Sequence, residues 1–123
     1  MLPHAPPFRF VDRVLERDPP RRCVTEKIFT ADETLLRGVA AIPSWLVLEA
    51  LCQGAAFLSA RETPEPGRVL RIDGAELTSP VRTGDILRIT AVMIESGAAA
   101  LWAEIRGEVE GKEVARLRVL IGL

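Results

Sequence analysis

The residues with chemical potential cluster in one stretch. Residues 43–61 read PSWLVLEALCQGAAFLSAR, an apolar run broken by a single carboxylate, Glu49, with Gln53 following at a spacing of four. On a helix that spacing sends both side chains out on one side, near Trp45 and Ala56. An ionised carboxylate among apolar neighbours is costly unless it is paired, hydrogen-bonded or protonated. Two readings follow. Glu49 is a general acid, because desolvation moves a carboxyl toward the range useful for donating a proton. Otherwise it is a structural carboxyl, bonded to backbone or to an arginine at a subunit interface. Gln53 either orients that carboxylate or bonds a polar headgroup.

Other reactive residues are sparse. His4 is the sole histidine and reads as exposed or structural. Cys23 and Cys52 form no CxxC pair, which suits a reducing, cytoplasmic setting, and Cys52 on an apolar helix reads as a small hydrophobe rather than a nucleophile. Zinc would need almost every candidate ligand at once. With no Gly-rich phosphate loop and no nucleophile elbow, neither a metal nor a cofactor is expected.

The elements that must hold Glu49 are legible around it. Leu and Ala favour helix over residues 43–61, and Pro43 suits a first helical position. A helix apolar on nearly every side is expected to be buried all round. Glu49 interrupts the run, leaving it short of the ~20 apolar residues that a membrane span needs. From residue 86 onward the text turns to strands: 86–94 is β-branched and apolar, and 101–110 alternates apolar with charged residues. Glu110-Gly111-Lys112 reads as a turn into a last strand, 113–123, which brings Arg116 and Arg118 toward the acidic row of its neighbour. Further strands are expected at 8–16, 22–29 and 68–77, with turns at Pro19-Pro20, Thr83-Gly84-Asp85 and Ser96-Gly97. The fold class is α+β, a central helix wrapped by a curved antiparallel sheet, with a second subunit covering what remains exposed.

The chain has 123 residues, 48% hydrophobic and 27% charged, with 16 basic against 17 acidic side chains. That is one domain, 1–123, with a core of its own and no bulk charge to attract nucleic acid. Trp45 and Trp102 read as core or interface packing.

Three stretches resemble the 3-hydroxyacyl-(acyl-carrier-protein) dehydratase family of fatty-acid synthesis. They are Leu2-Pro3-His4-Ala5-Pro6-Pro7-Phe8 with Val11-Asp12-Arg13-Val14, then Ile42-Pro43-Ser44-Trp45-Leu46-Val47-Leu48-Glu49-Ala50-Leu51-Cys52-Gln53, then Ser79-Pro80-Val81-Arg82-Thr83-Gly84-Asp85. The resemblance runs along essentially the whole chain. It implies a hotdog fold, a dimer with sites across its interface, and an acyl-carrier-protein or coenzyme A thioester as substrate. It also implies Glu49 as the acid that protonates the departing C3 hydroxyl, with Val39, Pro43, Ser44 and Trp45 around the thioester.

One part of the pattern is missing. The family's base is a histidine just ahead of the helix, whereas residues 35–43 read LRGVAAIP after Leu35, about four residues short, with Val39 or Leu35 at the histidine's place. A positioned base contributes about 10²–10⁴-fold, so its loss is severe. Backbone N–H groups at the helix start still offer a way to polarise a thioester carbonyl. Ser44, where the family has glycine, either narrows that approach or caps the helix. The Pro-Ser-Trp start is similar to a divergent branch found as the second subunit of aryl-polyene dehydratases, which implies a histidine-bearing hotdog companion. Two alternatives stand beside it: a hotdog thioesterase using Glu49 on water or the thioester, and a non-catalytic acyl or carrier-protein binding module. For the last, Arg21, Arg22, Arg68, Arg71 and Arg82 would have to cluster on one rim.

Overall fold

A computed structural model describes residues 11–30, 41–58 and 68–122. Six strands form one antiparallel sheet: β1 (Arg13–Asp18), β2 (Arg22–Ile28), β3 (Arg68–Leu77), β4 (Ile86–Ser96), β5 (Ala100–Val109) and β6 (Lys112–Gly122). Their order across the sheet is β1-β2-β4-β5-β6-β3. The one α-helix, α1 (Ser44–Ala55), continues into a 3₁₀ turn, Ala56–Leu58.

Alternation in the sequence becomes two faces. Leu87, Ile89 and Ala91 of β4, Leu101, Ala103 and Ile105 of β5, and Ala115, Leu117 and Val119 of β6 point to the inner face and are buried. They pack against Leu46, Val47, Ala50, Leu51 and Ala55 of α1 in a single core. The opposite face carries the charges. Arg118 stands opposite Glu104 and lies 4.0 Å from its carboxylate, as the sequence led us to expect. Arg116 instead stands opposite Arg106, and its carboxylate partner is Glu113, at 3.1 Å.

Turns fix these registers. The β5–β6 hairpin closes on Glu110 and Gly111, both at positive φ (52° and 79°), the pairing that matches the twist of a two-residue hairpin. Before β4, Gly84 sits at φ 95°, and the Asp85 carboxylate accepts the Arg82 N–H at 2.8 Å. That bond closes the turn expected at Thr83-Gly84-Asp85. At the other end of the sequence, the first expected strand begins later, at Arg13; residues 8–10 lie outside the described part. The Asp12 carboxylate reaches across to β2, accepting the Ile28 N–H at 2.7 Å and standing 3.7 Å from the buried Lys27 ammonium.

The helix differs from expectation in two respects. Pro43 is the N-cap residue, with ψ 140°, so the first helical residue is Ser44. Nor is α1 buried all round. Only the side bearing residues 46, 47, 50, 51, 54 and 55 is covered. Ser44, Trp45 and Glu49 are exposed, while Leu48, Cys52 and Gln53 are half-buried. One sheet layer can cover only one side of a helix. Apolar character on the other side is thus a demand for a second layer, which the single chain does not supply from its described residues.

Candidate functional site

The site is the uncovered side of α1. A helical repeat of 3.6 residues places positions 45, 48, 49, 52 and 53 along one stripe, and the structure brings Trp45, Glu49 and Gln53 together there. Trp45 is 61% exposed, which excludes a core role within the chain. Ala56, expected beside this stripe, is buried in the 3₁₀ turn instead. Glu49 is exposed rather than buried, so the chain by itself does not desolvate its carboxylate.

Cys52 shares the stripe. Burial, with the Glu49 carboxylate adding to it, pushes its thiol up to about 11. It is protonated at neutral pH and is not a nucleophile, as expected for a small hydrophobe.

The start of α1 is held in place by backbone. Ile42 donates its N–H to Val81 at 2.8 Å, and Ala41 bridges to Arg82. This ties the helix entrance to the Pro80–Asp85 turn, so two of the stretches that carried the family resemblance meet in space. No side chain caps the helix. The Ser44 hydroxyl therefore does not fill the cap; the Leu46 and Val47 N–H groups donate to the Pro43 carbonyl at 3.0 and 3.3 Å, so the amides left at this end are those of Ser44 and Trp45. Val39 and His4 lie outside the described residues.

Depth and tilt of the helix are set by a contact that the sequence did not reveal. Gly54 lies against β2 and β4 so closely that an added Cβ would stand 2.8 Å from Ile89 Cγ2 and 2.9 Å from Thr25 Oγ1. Cys23 donates its S–H to the Gly54 carbonyl at 3.3 Å. Farther along, Arg17 donates to the Phe57 carbonyl at 3.1 Å and covers the Phe57 ring. A small residue amid Leu and Ala was the only trace of this in the sequence.

The arginines considered for carrier docking do not converge. Arg22 pairs with Val92 at one end of the β2–β4 ladder, whereas Arg82 belongs to the turn at the other end, beside Phe29. Arg21 and Arg22 are held by Asp18 and Glu16, and Arg71 lies on the far edge strand. Among the described side chains these arginines make no single docking rim; the Arg68 side chain lies outside the described part. Two grooves of about 350 and 370 Å³ open on the charged face of the sheet, one by Glu26, Arg88 and Glu108, the other by Arg22, Thr90 and Arg106. Neither touches Glu49. Among the described residues no cluster could hold a metal ion, and no helix is long and apolar enough to cross a membrane.

No protein-family model matches the chain. Curated relatives do. The chain is 36% identical over 127 residues to the 3-hydroxyacyl-[acyl-carrier-protein] dehydratase FabZ of Anaeromyxobacter dehalogenans, covering 94% of this chain and 80% of that protein. The chain belongs to the FabZ dehydratase family. FabZ of Ruminiclostridium cellulolyticum is 30% identical over 122 residues, covering 94% of this chain and 86% of the relative. Among solved structures, the dehydratase heterocomplex ApeI:P of Xenorhabdus doucetiae superposes with a TM-score of 0.82 at 16% identity, over 98% of this chain and 86% of that one. This FabZ relative therefore has the hotdog fold. Its function is that of a 3-hydroxyacyl-(acyl-carrier-protein) dehydratase-like protein, and a six-stranded antiparallel sheet around one helix is how the fold is realised here.

Proposed function

We propose that this protein is the acid-bearing subunit of a 3-hydroxyacyl thioester dehydratase, handling acyl-carrier-protein or coenzyme A thioesters with a histidine-bearing hotdog companion. The observation that carries this is the uncovered stripe of α1. It presents Glu49, with Gln53 one turn on, beside an uncapped helix start, while residues 35–43 hold no histidine.

The reaction divides accordingly. The companion's imidazole removes the C2 proton, and negative charge grows on the thioester oxygen. The Ser44 and Trp45 amides face that oxygen and stabilise it as preorganised dipoles, with Pro43, Ser44 and Trp45 forming the wall. Glu49 gives its proton to the C3 hydroxyl, which leaves as water, and the double bond forms between C2 and C3. The products are a trans-2-enoyl thioester and one water, and the proton taken by the imidazole later restores the Glu49 carboxyl. A partner surface over the stripe supplies the desolvation that the single chain lacks.

The test is turnover of a 3-hydroxyacyl-(acyl-carrier-protein) to the enoyl product by the chain alone, by a histidine-bearing hotdog subunit alone, and by the two mixed. Mixing is expected to raise turnover. Glu49→Gln in the mixture is expected to reduce it by about 10²-fold or more without unfolding the chain, since Glu49 is exposed. Full turnover by the chain alone would overturn the companion. Release of free thiol in place of enoyl product would make the protein a thioesterase, and tight acyl binding insensitive to Glu49→Gln would make it a binding module.

A further inference from the structure

Cys23, Thr25 and Lys27 alternate onto the inner face of β2, and all three are buried. Among the described residues Lys27 is the one buried basic side chain. Gly54 lies against Thr25 and Cys23, and Phe57 lies against Arg17, the β1 residue opposite Cys23. The helix therefore runs antiparallel to β2, which puts Lys27 toward the N-terminal half of α1.

Stability does not account for a lysine at this place. Its side chain is 3% exposed, and the Asp12 carboxylate 3.7 Å away is 39% exposed. Such a pair returns little of what it costs to take an ammonium out of water, and an apolar side chain of the same length would hold the fold as well or better. What a buried ion pair offers is one fixed geometry. Here it fixes the end of β2. The Asp12 carboxylate also accepts the Ile28 N–H at 2.7 Å, and the Lys27 ammonium lies 5.6 Å from the centre of the buried Phe29 ring, within cation–π reach.

Phe29 passes this geometry on through backbone. Its carbonyl accepts the Gly84 N–H at 2.6 Å, and its N–H donates to the Asp85 carbonyl at 3.4 Å. The Asp85 carboxylate closes that turn on Arg82. Val81 and Arg82 in turn hold Ile42 and Ala41. Pro43 follows as the N-cap, and then come the Ser44 and Trp45 amides. A contiguous run of bonds thus joins a buried charge to the entrance of α1, the kind of network that can carry a displacement.

We propose that Lys27, paired with Asp12, is a positioning residue: through Phe29 and the turn at 81–85 it sets where the Ser44 and Trp45 amides stand. It acts through other residues and not on substrate. Its importance for turnover rests on the reading of those two amides as donors to the thioester oxygen. Misplacing a reacting geometry by about 1 Å from a distant site can cost about 10²-fold, so a small shift of the entrance is enough to slow the reaction.

Lys27→Met tests it, because methionine keeps the unbranched chain and removes the charge. Two readouts are taken on the full chain: hydrogen exchange of single amides by NMR, and steady-state turnover in the mixture with a histidine-bearing hotdog subunit. The Gly84 and Ile42 amides are expected to exchange about tenfold faster or more, while Ile105 in the centre of β5 keeps its rate and the urea midpoint does not fall. In the mixture kcat is expected to drop about tenfold or more with KM within about twofold of wild type. Should Lys27→Met fail to fold, Phe29→Leu decides instead; it leaves every backbone bond of the run in place, and the same local exchange and kcat changes are expected. A merely structural lysine would lower the urea midpoint and speed the core amides together, leaving kcat of the folded protein unchanged. That result, unchanged exchange at Gly84 and Ile42, or faster exchange there with kcat unchanged would each overturn the proposal. A wild-type mixture with no Glu49-dependent turnover would overturn the proposed reaction instead, and the exchange rates alone would then decide the positioning.

Discussion

Replacing Gly54 by alanine separates the two forces that act on α1. In an exposed helix interior, glycine to alanine stabilises by about 1 kcal/mol. Here the new Cβ would stand 2.8 Å from Ile89 Cγ2 and 2.9 Å from Thr25 Oγ1, against an ordinary contact of at least 3.4 Å. Either the helix or the strands must give by 0.5–0.6 Å. Both neighbours are β-branched and buried, so their χ1 angles have little freedom to turn away. Lifting the helix would stretch the Cys23–Gly54 hydrogen bond. Overpacking of this kind costs about 1–3 kcal/mol, and with two contacts under 3.0 Å on stiff side chains the cost lies at ~2–3 kcal/mol, so Gly54→Ala is expected to destabilise by a net ~1–2 kcal/mol. Urea unfolding should show a lower midpoint at unchanged slope. Thr25→Ala removes one of the two clashing atoms, and that hydroxyl is itself buried with no hydrogen-bond partner. Gly54→Ala and Thr25→Ala should therefore couple favourably in a double-mutant cycle. A Gly54→Ala protein as stable as wild type or more so would refute the close approach that sets the depth of the helix.

Two further outcomes are expected. Burial pushes the Cys23 thiol up to about 12 from an ordinary 9.0; between those values the unfolded chain binds fewer protons than the native one, so stability falls as pH rises from about 9 to 12. Cys23→Ala should flatten that alkaline decline in pH-dependent urea unfolding, Cys52 contributing the remainder below about 11. Asp12→Ala removes the acceptor of the Ile28 N–H and the carboxylate beside buried Lys27, and should destabilise by about 1–3 kcal/mol, with Asp12→Asn retaining part of the loss in the same assay.

Periodicity carried most of the fold because burial here is one-sided. β3 is found over the expected residues and β4 to β6 within two residues of them, since alternation reports which face is covered and the two-residue turn at Glu110-Gly111 fixes the register. It misled at α1 for a related reason. Apolar residues all round a helix say only that every side will be covered, not by which molecule, and the chain covers one. Glu49 is therefore in the expected element but an unexpected environment. Lys27 went unnoticed because a lysine in an alternating strand reads as solvated; its burial depends on Asp12, distant in sequence, and on the Phe29 ring 5.6 Å from its ammonium. Gly54 was silent because a close approach depends on what lies opposite, which no local pattern encodes.

The uncovered stripe of α1 sets what a partner must bring. It offers Trp45, Leu48 and Cys52 around one carboxylate, a surface that an apolar partner face can cover. A second copy of this chain would bring a second acid there and no histidine from residues 35–43, whereas a histidine-bearing subunit would bring the missing base. Activity in a mixture should then track the fraction of mixed assemblies rather than total protein, and it should remain dependent on Glu49 at every mixing ratio. Turnover that rises with the concentration of this chain alone would refute that division of roles.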